Sequence, residues 1–248
     1  IDSMTILHFL LKHDIPFHSI TTGNRTTYMN NKHNVSYNDD LQMVRNIRKI
    51  WGYEEGKWKL DTQTHQEILY REHWYNSDME EAWEILEEPA FNFNLPLYLH
   101  CNKQMKEQGV KVTLSGDGGD ELFAGYHKYH REFEVEPSSK NVSLKKIMDQ
   151  IWEKPLFLKM APGYSWNYEQ CKKHLIKIMR PYYNKNDWYN SWLASDVLDM
   201  SHRYFMRNDK FSMSQSMEGR FPLMGKKLRQ YAYNIPSRWK YNKGVKYA

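Results

Sequence analysis

Four glycines and three carboxylates crowd into the twelve residues Ser115-Gly116-Asp117-Gly118-Gly119-Asp120-Glu121-Leu122-Phe123-Ala124-Gly125-Tyr126. Glycine lets the backbone approach a ligand closely and take up positive φ. The N–H groups of such a turn, and of a helix that begins in it, can cradle phosphate oxygens. Carboxylates set beside phosphates repel them unless a divalent cation stands between, so the mixture points to Mg2+ and a nucleotide. Glycine spacing by itself leaves a second reading of equal weight, a tight turn capped by acidic side chains.

The elements around the motif would have to position it. Val110 to Leu114 runs straight into Ser115 and, with its β-branched residues, reads as a partly buried strand, preceded by a helix over Leu97 to Gln108 that Gly109 stops. Upstream, the apolar spacing predicts a helix from Met4 to Lys12, a strand from Pro16 to Thr21, and a helix N-capped within Tyr37-Asn38-Asp39-Asp40 that runs to about Trp51. A short strand over Lys57 to Leu60 and an acidic helix over Asp78 to Glu87, broken by Pro89, follow. Strands alternating with helices imply an α/β fold with a mostly parallel sheet, whose ligands bind beyond the carboxyl ends of the strands. After Tyr129 the strand signals fade, Glu134 to Val142 is a polar loop, and the rest reads as helical. The expected division is an α/β nucleotide-binding core over 1–130 and a mostly helical C-terminal region over 131–248.

Composition narrows the classes. Hydrophobic residues at 40% and charged residues at 26% of 248 are the profile of a folded globular chain, which excludes an intrinsically disordered one. The net charge of +5 arises from 35 basic and 30 acidic residues interleaved along the chain, and the densest basic stretch, Lys172 to Arg180, carries apolar residues at helical spacing. That pattern predicts a solvated helix face and no nucleic-acid partner. No apolar run approaches the ~18 to 20 residues of a membrane helix, and the chain opens without a signal-peptide pattern, so the expectation is a cytoplasmic protein with no membrane partner. Cys101 and Cys171 stand far apart and form no metal-ligand pair.

The stretch Leu114 to Tyr126, LSGDGGDELFAGY, resembles the signature of the asparagine synthetase family, with Ala124 where a glycine is usual. Ile1-Asp2-Ser3 is similar to the last three residues of that family's pyrophosphatase loop, Ser-Gly-Gly-x-Asp-Ser. Arg207-Asn208-Asp209-Lys210-Phe211-Ser212-Met213 and Glu218-Gly219-Arg220-Phe221-Pro222 resemble its patterns R-x-D-R-x-S-M and E-x-R-x-P. Lys243-Gly244-Val245-Lys246-Tyr247 resembles the glycine-then-lysine element that closes the site. The resemblance spans the chain and implies that both ends are cut, with most of the phosphate loop and its strand lying upstream. It also implies an adenine nucleotide α-hydrolase-like fold of the pyrophosphatase-loop type, and a glutaminase domain upstream in the full protein.

By the same resemblance Asp2 and Asp120 hold Mg2+, and Asp2, Ser3, Ser115, Gly116, Asp117, Gly118 and Lys246 line ATP. Lys246, Asp117 and Glu218 become the catalytic residues, with Lys246 facing the charge on the α-phosphate and the acyl intermediate. Gly119, Glu121 and Arg220 fall on the substrate side. Read without the resemblance, Asp2 is a helix N-cap, Asp117 a turn aspartate, Lys246 a surface lysine, and Glu218 with Arg220 an ion pair.

The activity implied is adenylation of the aspartate side-chain carboxylate by ATP, then amidation by ammonia, releasing AMP and pyrophosphate. Two features depart from the family pattern. Leu223-Met224-Gly225 follows Pro222 where relatives carry Phe-Leu-Asp, and Glu88 to Pro96, which helps to form the acceptor site, is one residue short and carries Phe91 and Phe93. A related amidotransferase or cyclase that adenylates a sugar acid, a peptide or a β-lactam precursor is the alternative. A nucleotide-binding remnant without activity is disfavoured by the survival of Asp2, Asp120 and Lys246. An RNA-modifying relative is disfavoured because no clustered basic or aromatic platform is present.

Overall fold

A computed structural model describes residues 2–24, 39–54, 56–70, 75–87, 94–130, 136, 139, 141–151, 170, 173, 176–177, 180, 187–200 and 204–241. Helix α1 (Asp2–Lys12) leads to strand β1 (Phe17–Asn24), helix α2 (Asp39–Ile50) and strand β2 (Gln63–Tyr70). Helices α3 (Tyr75–Leu86) and α4 (Leu95–Glu107) precede β3 (Val112–Leu114), which runs into the short α5 (Gly119–Phe123). Then come α6 (Leu144–Ile151), α7 (Trp188–Met200), α8 (Met206–Ser214), β4 (Glu218–Arg220) and α9 (Lys226–Asn234). The architecture among the described residues is α/β, nine helices with two pairs of parallel strands. By packing the chain forms two units. The first comprises 3–115 and 206–220, and the second 116–205 and 221–248 together with Asp2.

In the first unit β1 and β2 run parallel, in register from Phe17 opposite Gln63 to Asn24 opposite Tyr70. The pair is cemented by polar side chains. His18 Nδ1 shares a 2.6 Å hydrogen bond with Thr64 Oγ1, Ser19 Oγ one of 2.8 Å with His65 Nδ1, and Arg45 and Arg48 of α2 both reach Glu67. This explains why β2 escapes the sequence reading, which expected a strand at Lys57 to Leu60. Gln63-Thr64-His65-Gln66-Glu67 shows none of the apolar alternation that marks a half-buried strand, whereas residues 57–60 form a turn with isolated bridges at Glu54 and Lys57. The apolar centre of the unit is three helices deep: Met79, Ala82 and Leu86 of α3, Leu95 and Leu99 of α4, and Phe211 of α8, which is fully buried.

The second strand pair also differs from expectation. Glu218, Gly219 and Arg220 lie in the stretch read as helical, yet pair with Val112, Thr113 and Leu114. Three residues with a central glycine give no β signal. The glycine serves packing instead, since a Cβ at Gly219 would stand 3.2 Å from the buried Ser212 hydroxyl of α8.

The second unit is built on aromatic rings. Trp188, Tyr189, Trp192 and Leu193 of α7 pack with Ala124, Tyr129, Val142 and Ile147. The polar ends of the rings are satisfied, with Tyr129 donating to Asp196 (2.6 Å), Tyr189 to the Tyr129 carbonyl (2.8 Å) and Trp188 to the Glu136 carbonyl (3.0 Å). A smaller cluster of Leu122, Val197 and Ala232 ties α5 to α7 and α9. Of the basic stretch 172–180, Lys173 and Lys177 are exposed and helical, and Ile176 packs on the aromatic core.

Candidate functional site

The second unit holds most of the glycine-rich motif. Gly118 is the N-cap of α5 in the left-handed region (φ 99°), a conformation that side chains resist, and its Cα faces the Met224 thioether so closely that a Cβ would collide with it. Gly119 opens α5 against the Asp2 carboxyl group, and there too a Cβ would overlap the carboxylate. The Asp2 carboxylate accepts the backbone N–H of Asp120. Burial, then the negative charge of Asp120, raise its proton affinity, and Asp117 adds to this. Asp120 is likewise shifted up by burial, and its carboxyl takes a hydrogen bond from Tyr126. Asp2 thus stands close enough to feel two carboxylates more than a hundred residues along the chain, Asp120 and Asp117.

Gly125 and Tyr126, which the sequence reading left as mere parts of the motif, support this arrangement. A Cβ at Gly125 would occupy the place of Asp120 Oδ1. The Tyr126 hydroxyl stands between Asp120 and Glu121, and burial, then the charge of Glu121, hold it firmly protonated, so its single proton is available to either carboxylate. Glu121 is buried at 3% exposure, its proton affinity raised by that burial, and its Oε2 has no hydrogen-bond partner among the described residues. Spacing offers no clue to these roles, since a tyrosine five or six residues past a carboxylate meets it only if the helix ends abruptly. Here α5 ends at Ala124, in the left-handed region at φ 61°.

The first unit holds the remainder. Ser3 is exposed on α1. The Ser115 N–H donates to the Arg220 carbonyl (3.0 Å), prolonging the β3–β4 ladder by one bond, and the chain passes on into Gly116. Glu218 and Arg220 alternate with Gly219 on β4 and pair with each other at 2.9 and 3.1 Å, both exposed. The arginine lowers the proton affinity of Glu218. Lys246 and residues 88–93 lie outside the described residues.

Two half-buried carboxylates fit a hard cation that accepts few protein oxygens and keeps waters, because a positive charge between them would relieve what raises their proton affinity. Cys101 is buried, its thiol pushed up to about 12 by that burial, which removes it as a nucleophile, and Cys171 lies outside the described residues. Among the described residues no helix is long and apolar enough to cross a membrane.

The chain is similar to two proteins of Bacillus subtilis (strain 168). It is 24% identical to "Asparagine synthetase [glutamine-hydrolyzing] 1" over 224 residues, covering 75% of this chain and 34% of that protein. It is 26% identical to "Asparagine synthetase [glutamine-hydrolyzing] 3" over 211 residues, covering 80% of this chain and 31% of that protein. The chain thus spans about a third of the length of the curated relatives it matches. The family model described as asparagine synthase matches residues 1–247, which takes in both packing units and the whole glycine-rich motif. With that match running nearly end to end, the chain belongs to the asparagine synthase family.

Proposed function

We propose that this chain is the synthetase part of a cytoplasmic enzyme that adenylates the side-chain carboxylate of aspartate with ATP and passes the acyl group to ammonia. The meeting of Asp2 with Asp120 at the start of α5, where Gly119 leaves room for the Asp2 carboxylate, carries this reading. A carboxylate oxygen of the acceptor attacks the α-phosphorus, and pyrophosphate leaves. Ammonia then attacks the acyl carbon, and AMP leaves with the electron pair of the broken C–O bond. Asp2 and Asp120 would hold Mg2+, which when bound offsets the charge gathering on the departing pyrophosphate.

The chain's own residues bind and orient. The backbone of Ser115, Gly116 and Gly118, with Ser3, lies along the nucleotide, and Asp117 stands near the acceptor and the incoming amine. Lys246, by the family resemblance, is the residue that would neutralise the charge developing at the α-phosphate. Glu218, held ionised by Arg220, supports Lys246. Gly119, Glu121 and Arg220 take the substrate-side roles that the family resemblance implies. A pyrophosphatase-loop fold of the adenine nucleotide α-hydrolase type, and a glutaminase domain elsewhere in the full protein supplying the ammonia, complete the reading.

Phe91 and Phe93, in a segment where the family resemblance expects small polar residues, favour a second reading in which a different carboxylate, such as a sugar acid, a peptide or a β-lactam precursor, takes the place of aspartate. One assay separates them: pyrophosphate release by the intact protein with MgATP, ammonia and a panel of carboxylates. Aspartate is expected to give the largest rate, with asparagine as product. A larger rate with a sugar acid or a peptide would replace aspartate, and no release with any member would overturn adenylation itself.

A further inference from the structure

Gly118 holds its left-handed angles, φ 99° and ψ −14°, without strain, but a glycine is equally free to leave them. With Gly116 and Gly119 close by, the turn that leads into α5 is built from the residues least able to fix their own conformation. Its backbone bonds are few: the Gly119 N–H donates to the Gly116 carbonyl at 3.3 Å, and the Leu122 N–H to the Gly118 carbonyl at 3.0 Å. On the side of Gly118 where any other residue would carry its Cβ lie Sδ and Cγ of Met224. Met224 is itself well held. Its N–H donates to the Phe221 carbonyl at 3.0 Å at the end of the short 3₁₀ turn Pro222–Met224, and its side chain packs against the cluster of Leu122, Val197 and Ala232. Gly119, the next residue of the turn, meets the Asp2 carboxylate instead. The turn is thus gripped from two directions, by a thioether at Gly118 and by a carboxylate at Gly119.

We propose that Met224 is a positioning residue for MgATP, acting through Gly118 by fixing the glycine-rich turn in the conformation in which Asp2 meets the Asp120 N–H. The inference rests on the reading proposed above, in which this turn lies along the nucleotide. A side chain that only filled space between helices would add to stability and leave the affinity of the folded protein alone. A side chain that selects one conformation of a glycine turn contributes to affinity as well, because a turn that must first be ordered loses part of the binding free energy to the ordering. The contact also asks for a certain reach. Leucine carries carbon as far from the backbone as the Met224 sulfur, whereas alanine stops at Cβ and leaves the Gly118 Cα without its neighbour.

The test compares Met224→Ala and Met224→Leu with the wild type in the intact protein, reading MgATP affinity by calorimetry, the urea midpoint, and backbone hydrogen exchange at Gly119 and Leu122. The alanine variant is expected to weaken MgATP binding about tenfold and to speed exchange at both amides by more than its lower midpoint brings to the rest of the chain. The leucine variant is expected to bind MgATP within about twofold of the wild type. A lowered midpoint with unchanged MgATP affinity would make Met224 a packing residue and overturn the assignment. So would a loss of affinity that leucine fails to restore, or exchange at Gly119 and Leu122 no faster than elsewhere. If the alanine variant does not fold, Met224→Val, which stops at Cγ and keeps more of the packing, carries the same three readings. A wild type that binds no MgATP overturns the nucleotide reading and this assignment with it, whereas equal binding by the wild type and the shortened variant overturns the assignment alone.

Discussion

At the scale of single residues the site depends on atoms that are missing from side chains as much as on those present. Gly119 and Gly125 each leave a gap that a carboxylate occupies, Asp2 in one case and Asp120 in the other. Gly125 has no positive φ, so alanine suits the backbone angle there, but its methyl group would overlap the Asp120 carboxyl and press on the Asp120 Cα at 3.1 Å. Gly125→Ala is therefore expected to weaken Mg2+-dependent ATP binding by about tenfold or more, as loss of a ligand's support does, while binding in the presence of a chelator stays as in the wild type. Calorimetry with and without Mg2+ reads this directly, and an equal loss in both conditions would mean that Gly125 acts on folding. The motif was legible because seven glycines and carboxylates fall within twelve residues. The neighbour of Gly119 was not, because Asp2 stands more than a hundred residues away and only the resemblance to a known phosphate loop set the two together. Tyr126 is hidden for a different reason, since its bond to Asp120 depends on where α5 stops.

At the scale of elements, what the sequence displays is apolar period, and what it hides is polar pairing. Helices α2, α3 and α4 stand within a few residues of where periodicity put them, and β3 ends at Leu114 as expected. Strand β2 was invisible because its partners are hydroxyl, imidazole and guanidinium groups. That same chemistry makes the β1–β2 pair sensitive to acid. Burial, then the nearby Arg48, depress the His65 imidazole to about 4, so the folded chain keeps it neutral while the unfolded chain protonates near 6.5. The unfolded state then binds more protons between these values, and stability is lost as pH falls through the window. The urea midpoint is expected to drop from pH 7 to pH 5 by more in the wild type than in His65→Gln. Equal drops would show that His65 does not titrate as its surroundings require. The departure at Leu223-Met224-Gly225 also changes meaning once the element is seen. Gly225 is the N-cap of α9, with φ −56° and ψ 139°, and it makes no side-chain cap. An aspartate there, as the family resemblance expects, would cap the helix. Gly225→Asp is expected to stabilise the protein by a few tenths of a kcal/mol in urea unfolding. It should leave the ranking of the carboxylate panel as it was, and a changed ranking would return the position to the acceptor side.

At the scale of the whole molecule the boundary between packing units falls inside the glycine-rich motif, after Ser115, and again at Arg220. Sequence patterning could not show this, because it separates stretches by element type, whereas packing joins stretches that meet. The first unit is made of two pieces of chain separated by ninety residues, 116–205. Its apolar centre needs both, since Phe211 fills the space among Leu86, Leu95 and Leu99. Chains emerge from the ribosome N-terminus first, at roughly 5 to 20 residues per second. For several seconds of synthesis, therefore, α3 and α4 exist while the ring that completes their core does not, and three leucines stay open to whatever else is nearby. The second unit is likewise begun before the first can be finished. A nascent chain of this protein thus spends part of its birth in need of protection, and any premature stop between α4 and α8 leaves that apolar surface uncovered for good.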